Sequence, residues 1–235
     1  MRFACGCRAL RRAAAAALAA FAALAGLVAA GATTGLDQWA VEHAMPLAGR
    51  PNPPPTFVQS LVPLLDSPFH PAGVAVVQVV TLPGQVLVSF ALVVAAAWRM
   101  GRRGRVQAAV SWPATWLFAV AVEVVFRHAL SRPPLYRDGA HLLGFDSSWP
   151  SGHALRCALV AAATTAAWPR LRVPLAVWLV ASAVLLELGG FHTPTDVAGG
   201  LLLATVAAAG AVELARSGLL RRWAALRRRG ALPRS

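Results

Sequence analysis

The sequence predicts an all-α protein, a polytopic membrane helix bundle of about six transmembrane helices. Three observations carry that prediction. Of the 235 residues, 57% are hydrophobic and only 13% charged, with a mean hydropathy of +0.59; that is too apolar for an ordinary soluble domain of this length. The apolar residues gather into six blocks, at about 13–31, 74–98, 106–127, 153–169, 173–191 and 197–215, each near the length that crosses a hydrocarbon core. The arginines, finally, fall in alternate connecting segments.

Each element follows from local signals. The first block is preceded by Arg2, Arg8, Arg11 and Arg12 and followed by Ala30-Gly31-Ala32. It reads either as a secretory signal with a small-residue cleavage site or as an uncleaved anchor. We read it as the anchor, since that gives an even number of spans with both ends on one side. The outer segment at about 33–73 opens with a short amphipathic helix over about 37–47, with Leu36, Trp39, Ala40 and His43 near helical spacing for a membrane surface. The prolines at 51–55 must break it. The second block is interrupted by Pro83-Gly84. The third runs into a second outer segment at about 128–152, rich in Pro, Gly and Asp, which cannot cross lipid and should lie over the mouth of the bundle. The last two spans are joined by a minimal outer segment at 192–196, where Pro194 opens the sixth helix and Thr193 is its capping candidate.

A formal net charge of +13 raises nucleic acid as a partner, but its distribution excludes that reading. Seventeen of the 22 basic residues lie in the segments before the first block, after the second, between the fourth and fifth, and after the sixth. Only Arg50, Arg127, Arg132 and Arg137 lie in the opposite segments, beside Asp37, Glu42, Asp66, Asp138 and Asp146. The positive-inside rule makes the arginine-rich side cytoplasmic. The expected protein is multi-pass in a plasma or cell inner membrane. It has a cytoplasmic N-terminus at 1–12, a membrane domain at 13–216, and a basic cytoplasmic tail at 217–235 that attracts anionic head groups. The bilayer is its expected partner, with no nucleic acid; the oligomeric state is open. Cys5, Cys7 and Cys157 form no pair suited to an extracellular disulfide or a zinc site.

Two short stretches carry the chemistry. Trp149-Pro150-Ser151-Gly152-His153 stands at the edge of one apolar run and His192-Thr193-Pro194-Thr195-Asp196 at the edge of another, where a bare imidazole or carboxylate is costly. Ser151 is a fair N-cap, and Gly152 lets an anion approach the first-turn N–H groups; the same residues also make an ordinary cap beside an interfacial histidine. His192 and Asp196 lie one helical turn apart, so the carboxylate can hold one ring nitrogen and orient the other; equally, the aspartate can be there for the helix dipole. Arg127 and Arg132 bracket the end of the third span. They offer planar forks for phosphate oxygens or snorkel to the interface. Glu123, one turn before Arg127, is a candidate ion-pair partner. One histidine to attack, one to donate a proton and a helix N-terminus to hold an anion are the parts of a phosphoryl-transfer site.

Together these segments resemble the type 2 phosphatidic acid phosphatase superfamily, which shares its core with vanadium haloperoxidases and bacterial acid phosphatases. Its first signature is a lysine, six residues, then Arg-Pro; its second is Pro-Ser-Gly-His; its third is Ser-Arg, five residues, His, three residues, Asp. The second matches at Pro150, Ser151, Gly152 and His153, and the third at His192 and Asp196. Two departures stand out. Leu185 and Leu186 occupy the Ser-Arg positions, and Arg132-Pro133 follows Arg127 after four residues rather than six.

The resemblance implies an integral membrane phosphatase acting on a lipid phosphate or isoprenyl pyrophosphate at the outer face, without cofactor or metal. His192 would attack phosphorus, Asp196 would orient it, and His153 would protonate the leaving group and then activate water. Arg127, Arg132, Ser151 and Gly152 would bind the phosphate. Arg156, one turn into the helix after His153, is the candidate to replace the missing third-segment arginine; alternatively it pairs with Glu187 and is structural. The rival to an enzyme is an impaired family member that binds phospholipid head groups without turnover.

Overall fold

The computed structural model describes residues 2–46, 48 and 72–218, and these are almost entirely helical. The proline break at 51–55, Asp66 and the arginines between 221 and 234 lie outside the described residues. Helix α1 spans Arg2–Ala29 and α2 Thr34–His43. Helix α3, Ala72–Thr81, passes through a 3-10 turn at Leu82–Gly84 into α4, Val86–Arg102. Then come α5 at Val106–Ala129, a two-stranded hairpin of β1 (Tyr136–Arg137) and β2 (Ala140–His141), α6 at Gly152–Ala167, α7 at Arg172–Leu188 and α8 at Pro194–Ser217.

The expectation of about six spans is only partly met. Among the described residues four helical segments are long and apolar enough to cross a membrane: Arg8–Ala29, Val106–Ala129, Pro169–Leu188 and Pro194–Ser217. Val76–Gly84 with Val86–Arg102 makes a fifth only if counted as one span bent by 52°. The apolar block at 153–169 does not reach that length. Trp168-Pro169 ends α6 after 16 residues, roughly 24 Å at 1.5 Å per residue, against the roughly 30 Å of a hydrocarbon core. Helices in this number and of this length support a polytopic membrane location.

The short α6 is instead the innermost helix, packed by α4, α7 and α8, while α8 also packs on α1 and α5. Leu155, Leu159, Val160 and Ala163 of α6 are buried with Trp112 and Trp116 of α5 and Phe21 and Val28 of α1. The outward faces carry Val177, Val180, Phe118 and Val125, all well exposed, as suits lipid contact.

The Pro83-Gly84 break frees backbone carbonyls that a continuous helix would have satisfied. Two side chains take them up: Trp178 Nε1 donates to the Val80 carbonyl at 3.0 Å and Arg156 Nε to the Gly84 carbonyl at 2.5 Å. The second outer segment folds back as a hairpin turned by Asp138 and Gly139, both at positive φ. Its Leu135, Leu142 and Phe145 pack on Ala40, Val41 and Met45 at and beyond the end of α2. The amphipathic helix expected over about 37–47 is present over Thr34–His43, so it begins and ends earlier, and it has two uses. Leu36 and Trp39 point outward, whereas Asp37, Ala40 and Val41 are buried.

Candidate active site where α6 and α8 begin

The two histidine segments are joined by main chain. Ser151 caps α6, its Oγ accepting from Ala154 N at 3.2 Å, while its own N–H donates to the Asp196 carbonyl at 2.9 Å. Trp149 is buried, its ring stacked on Phe21 and its Nε1 donating to the Thr195 carbonyl at 3.1 Å. Close approach depends on two glycines of α8. A Cβ on Gly199 would stand 2.8 Å from the Trp149 ring, and one on Gly200 would run into the Ser151 carbonyl.

This crossing brings His153 and His192 together, with ring centroids 6.1 Å apart and ring planes tilted by 50°. His192 is 8% exposed. Its Nδ1 lies 3.6 Å from Asp196 Oδ2, too long for a hydrogen bond but close enough for a charge contact. Asp196 is fully buried and serves two structures at once. Its Oδ2 accepts from Thr193 N at 3.0 Å, which with Thr193 Oγ1 and Asp196 N completes a capping box on α8. The same oxygen accepts from Ser148 Oγ at 2.6 Å, and Oδ1 accepts from Arg132 Nη1 at 2.9 Å. Pro194 opens α8 and Thr193 caps it, as expected.

Arg132 is almost wholly buried and divides its fork between two carboxylates. Nη1 reaches Asp196 and, at 3.1 Å, Thr193 Oγ1; Nη2 reaches Asp37 Oδ2 at 2.5 Å. Asp37 also accepts from Thr195 Oγ1 at 2.6 Å and Thr195 N at 3.3 Å.

Arg156 is held by Glu123. Its Nη1 lies 2.6 Å from Glu123 Oε2, and the pair is buried. Glu123 Oε1 lies 3.7 Å from Arg127 Nη1, the ion pair expected one turn along α5. The Glu123 carboxylate packs directly on the Cα of Gly152, where any Cβ would collide with it. Arg156 thus takes Glu123, not Glu187, as its counter-ion.

All five residues expected to touch phosphate gather around the histidines, yet each arginine among them already faces a carboxylate. Leu186 offers no cation. It is buried against Ala154 and Val197, and its carbonyl accepts from Phe191 N at 3.1 Å and His192 N at 3.3 Å. A cleft of about 510 Å³ opens between Arg127, Ser131, Arg132, His141, Asp146 and Ser147; it reaches the site through the two arginines, and neither His153 nor His192 lines it.

Three participants were not singled out from sequence as site residues: Asp37, Ser148 and, as the partner of Arg156, Glu123. For Asp37 a signal existed. Asp37, Ala40 and Val41 fall at i, i+3 and i+4, one face of a helix, and an aspartate on an apolar face needs a cation. Ser148 and the Glu123–Arg156 contact carry no comparable local signal. Among the described residues no group of three or more His, Cys, Asp or Glu side chains could hold a metal ion.

Residues 127–217 match the PAP2 superfamily. No curated protein and no solved structure matches the chain.

Proposed function

Taking the PAP2-superfamily domain present at residues 127–217 as premise, we propose that this protein is a membrane phosphatase. It hydrolyses a lipid phosphate or isoprenyl pyrophosphate through a phosphohistidine on His192. The domain and the helices of membrane-spanning length support a lipid-phosphatase function in general. The observation that carries the finer reading is the neighbouring pair of imidazoles, His153 and His192, 6.1 Å apart, with Asp196 behind one of them.

In this mechanism Nδ1 of His192 is turned to Asp196, which leaves Nε2 to attack phosphorus. The bond to the leaving oxygen breaks as His153 gives that oxygen a proton. His153 then takes a proton from water, whose oxygen attacks the phosphohistidine and frees inorganic phosphate. First-turn N–H groups of α6 and the guanidinium groups of Arg127, Arg132 and Arg156 stabilise the equatorial oxygens, provided a substrate phosphate draws them from their carboxylates. No step requires a metal. Residues 13–216 form the phosphatase domain, between a cytoplasmic start at 1–12 and a basic cytoplasmic tail at 217–235, and the arginine asymmetry supports an outward-facing site.

The test is phosphate release by purified protein from a panel of lipid phosphates, with and without a chelator. His192→Ala should lose at least about a thousandfold, as expected for a residue central to covalent catalysis. Wild-type turnover by that variant would remove His192 from the role. A second reading is favoured by the buried apolar Leu186 and by the carboxylate facing each arginine: a member that binds head groups without turnover. Saturable binding of a lipid phosphate with no phosphate released would decide for it.

A further inference from the structure

We propose that Asp37 is a positioning residue for the Asp196–His192 pair, acting through Arg132; this rests on the assignment of His192 as nucleophile. Asp37 is fully buried, on a helix lying 95 residues before Arg132. It touches neither histidine. What it does is fix the guanidinium plane. Nη2 of Arg132 is bound to Asp37 at 2.5 Å while Nη1 is bound to Asp196 Oδ1 at 2.9 Å. A planar fork gripped at both ends cannot rotate. Arg132 therefore engages only Oδ1 of Asp196 and leaves Oδ2 toward His192 Nδ1, Ser148 Oγ and Thr193 N. Asp37 also holds Thr195, the neighbour of Asp196, through both its N–H and its hydroxyl.

Removing the Asp37 charge frees one end of the fork. The guanidinium can then swing to take both oxygens of Asp196 in a bidentate pair, the arrangement it prefers with a lone carboxylate. That would withdraw Oδ2 from His192 and leave the ring without an orienting partner.

The seating of α2 does not depend on Asp37 alone. Gln38 exchanges two hydrogen bonds with the main chain of Tyr136, at 2.8 and 3.0 Å, and Ala40, Val41 and Met45 pack on Leu135, Leu142 and Phe145. An Asp37→Asn chain thus has the means to keep α2 in place, and the effect on His192 can be read separately from folding.

The experiment has two readouts, one independent of turnover. In detergent-solubilised protein labelled with 15N-histidine, NMR reports which ring nitrogen of His192 carries the proton. The wild type should hold it on Nδ1; Asp37→Asn should give a mixture, and Gln38→Ala should look like wild type. Kinetically, Asp37→Asn should lower kcat by about tenfold to a hundredfold, the scale of a small misplacement of a reacting group, with KM changed less than about twofold. Asp37→Glu, which keeps the charge, should recover part of the loss and serves as the test if Asp37→Asn does not fold. In an Arg132→Gln background Asp37→Asn should cost little more, since the path runs through Arg132. An unchanged His192 tautomer in Asp37→Asn overturns the proposal, as does a loss fully additive to that of Arg132→Gln. If the wild type releases no phosphate but the tautomer still responds to Asp37, the phosphatase reading fails and the positioning role stands.

Discussion

Arg156 and Glu123 form a buried ion pair, Nη1 to Oε2 at 2.6 Å, with side chains 7% and 3% exposed. The pair joins α6 to α5, and the Gly84 carbonyl ties the same guanidinium to the break before α4. Removing only the cation leaves an uncompensated buried carboxylate. Arg156→Ala should therefore destabilise by about 3–5 kcal/mol. Arg156→Leu/Glu123→Leu should recover most of that, because replacing both charges with apolar groups is often near neutral. Thermal unfolding in detergent measures both. If the double variant is stable yet inactive, Arg156 also serves the phosphate; if it is stable and active, the arginine is a counter-ion only.

On the proposed reading, Glu123 holds the ground a substrate phosphate would take. Its carboxylate rests on Gly152 and between Arg127 and Arg156, three residues expected to bind the anion. Neutralising it should favour an incoming phosphate. One unit charge at about 4 Å is worth about 4 kcal/mol at an effective dielectric of about 20, and a third of that is about tenfold in affinity. Glu123→Gln should thus lower the inhibition constant for inorganic phosphate by about tenfold. An unchanged constant would place the anion site elsewhere, with the cleft lined by His141 and Asp146 as the next place to look.

The parts of the site that sequence made legible are those set within one helical turn. Ser151 as N-cap, Pro194 and Thr193 at the start of α8, and the Glu123–Arg127 pair all depend on spacings of four residues or fewer. The counter-ions do not. Asp37 meets Arg132 across 95 positions, and Glu123 meets Arg156 across 33; no periodicity specifies such pairings. The span count is only partly met for a related reason. Hydropathy measures apolar composition, and α6, apolar and largely buried by protein, ends after 16 residues, short of the length that counts as a span. The hairpin was not read from the sequence, although Asp138-Gly139 is a two-residue turn signal.

Arginine placement predicts the side of the membrane, and Ser147 offers a test. Its carbonyl accepts from Arg127 Nε at 3.0 Å and it lines the cleft beside the candidate site. A cysteine at 147, in a chain with Cys5 and Cys7 replaced, should react with an impermeant maleimide from outside intact cells or spheroplasts. Reaction only after the cytoplasmic face is opened would reverse the topology and the side on which the substrate phosphate is met.

Restoring the absent third-segment arginine should not improve the protein. Leu186 is 2% exposed and packed against Ala154 and Val197, with Ala183, Phe191 and Leu201 around it. An arginine there is larger than the space and brings a charge with no carboxylate assigned to it. Overpacking alone costs about 1–3 kcal/mol, and an unpaired buried cation adds several more. Asp196 is already engaged by Arg132 and Glu123 by Arg156. Leu186→Arg should lower the unfolding temperature and leave phosphate release at or below the wild-type level. Leu186→Met, similar in volume and uncharged, should be nearly neutral. A stable Leu186→Arg protein with faster turnover would mean that the guanidinium reaches the histidines. Phosphate binding by the wild type would then be incomplete at this position.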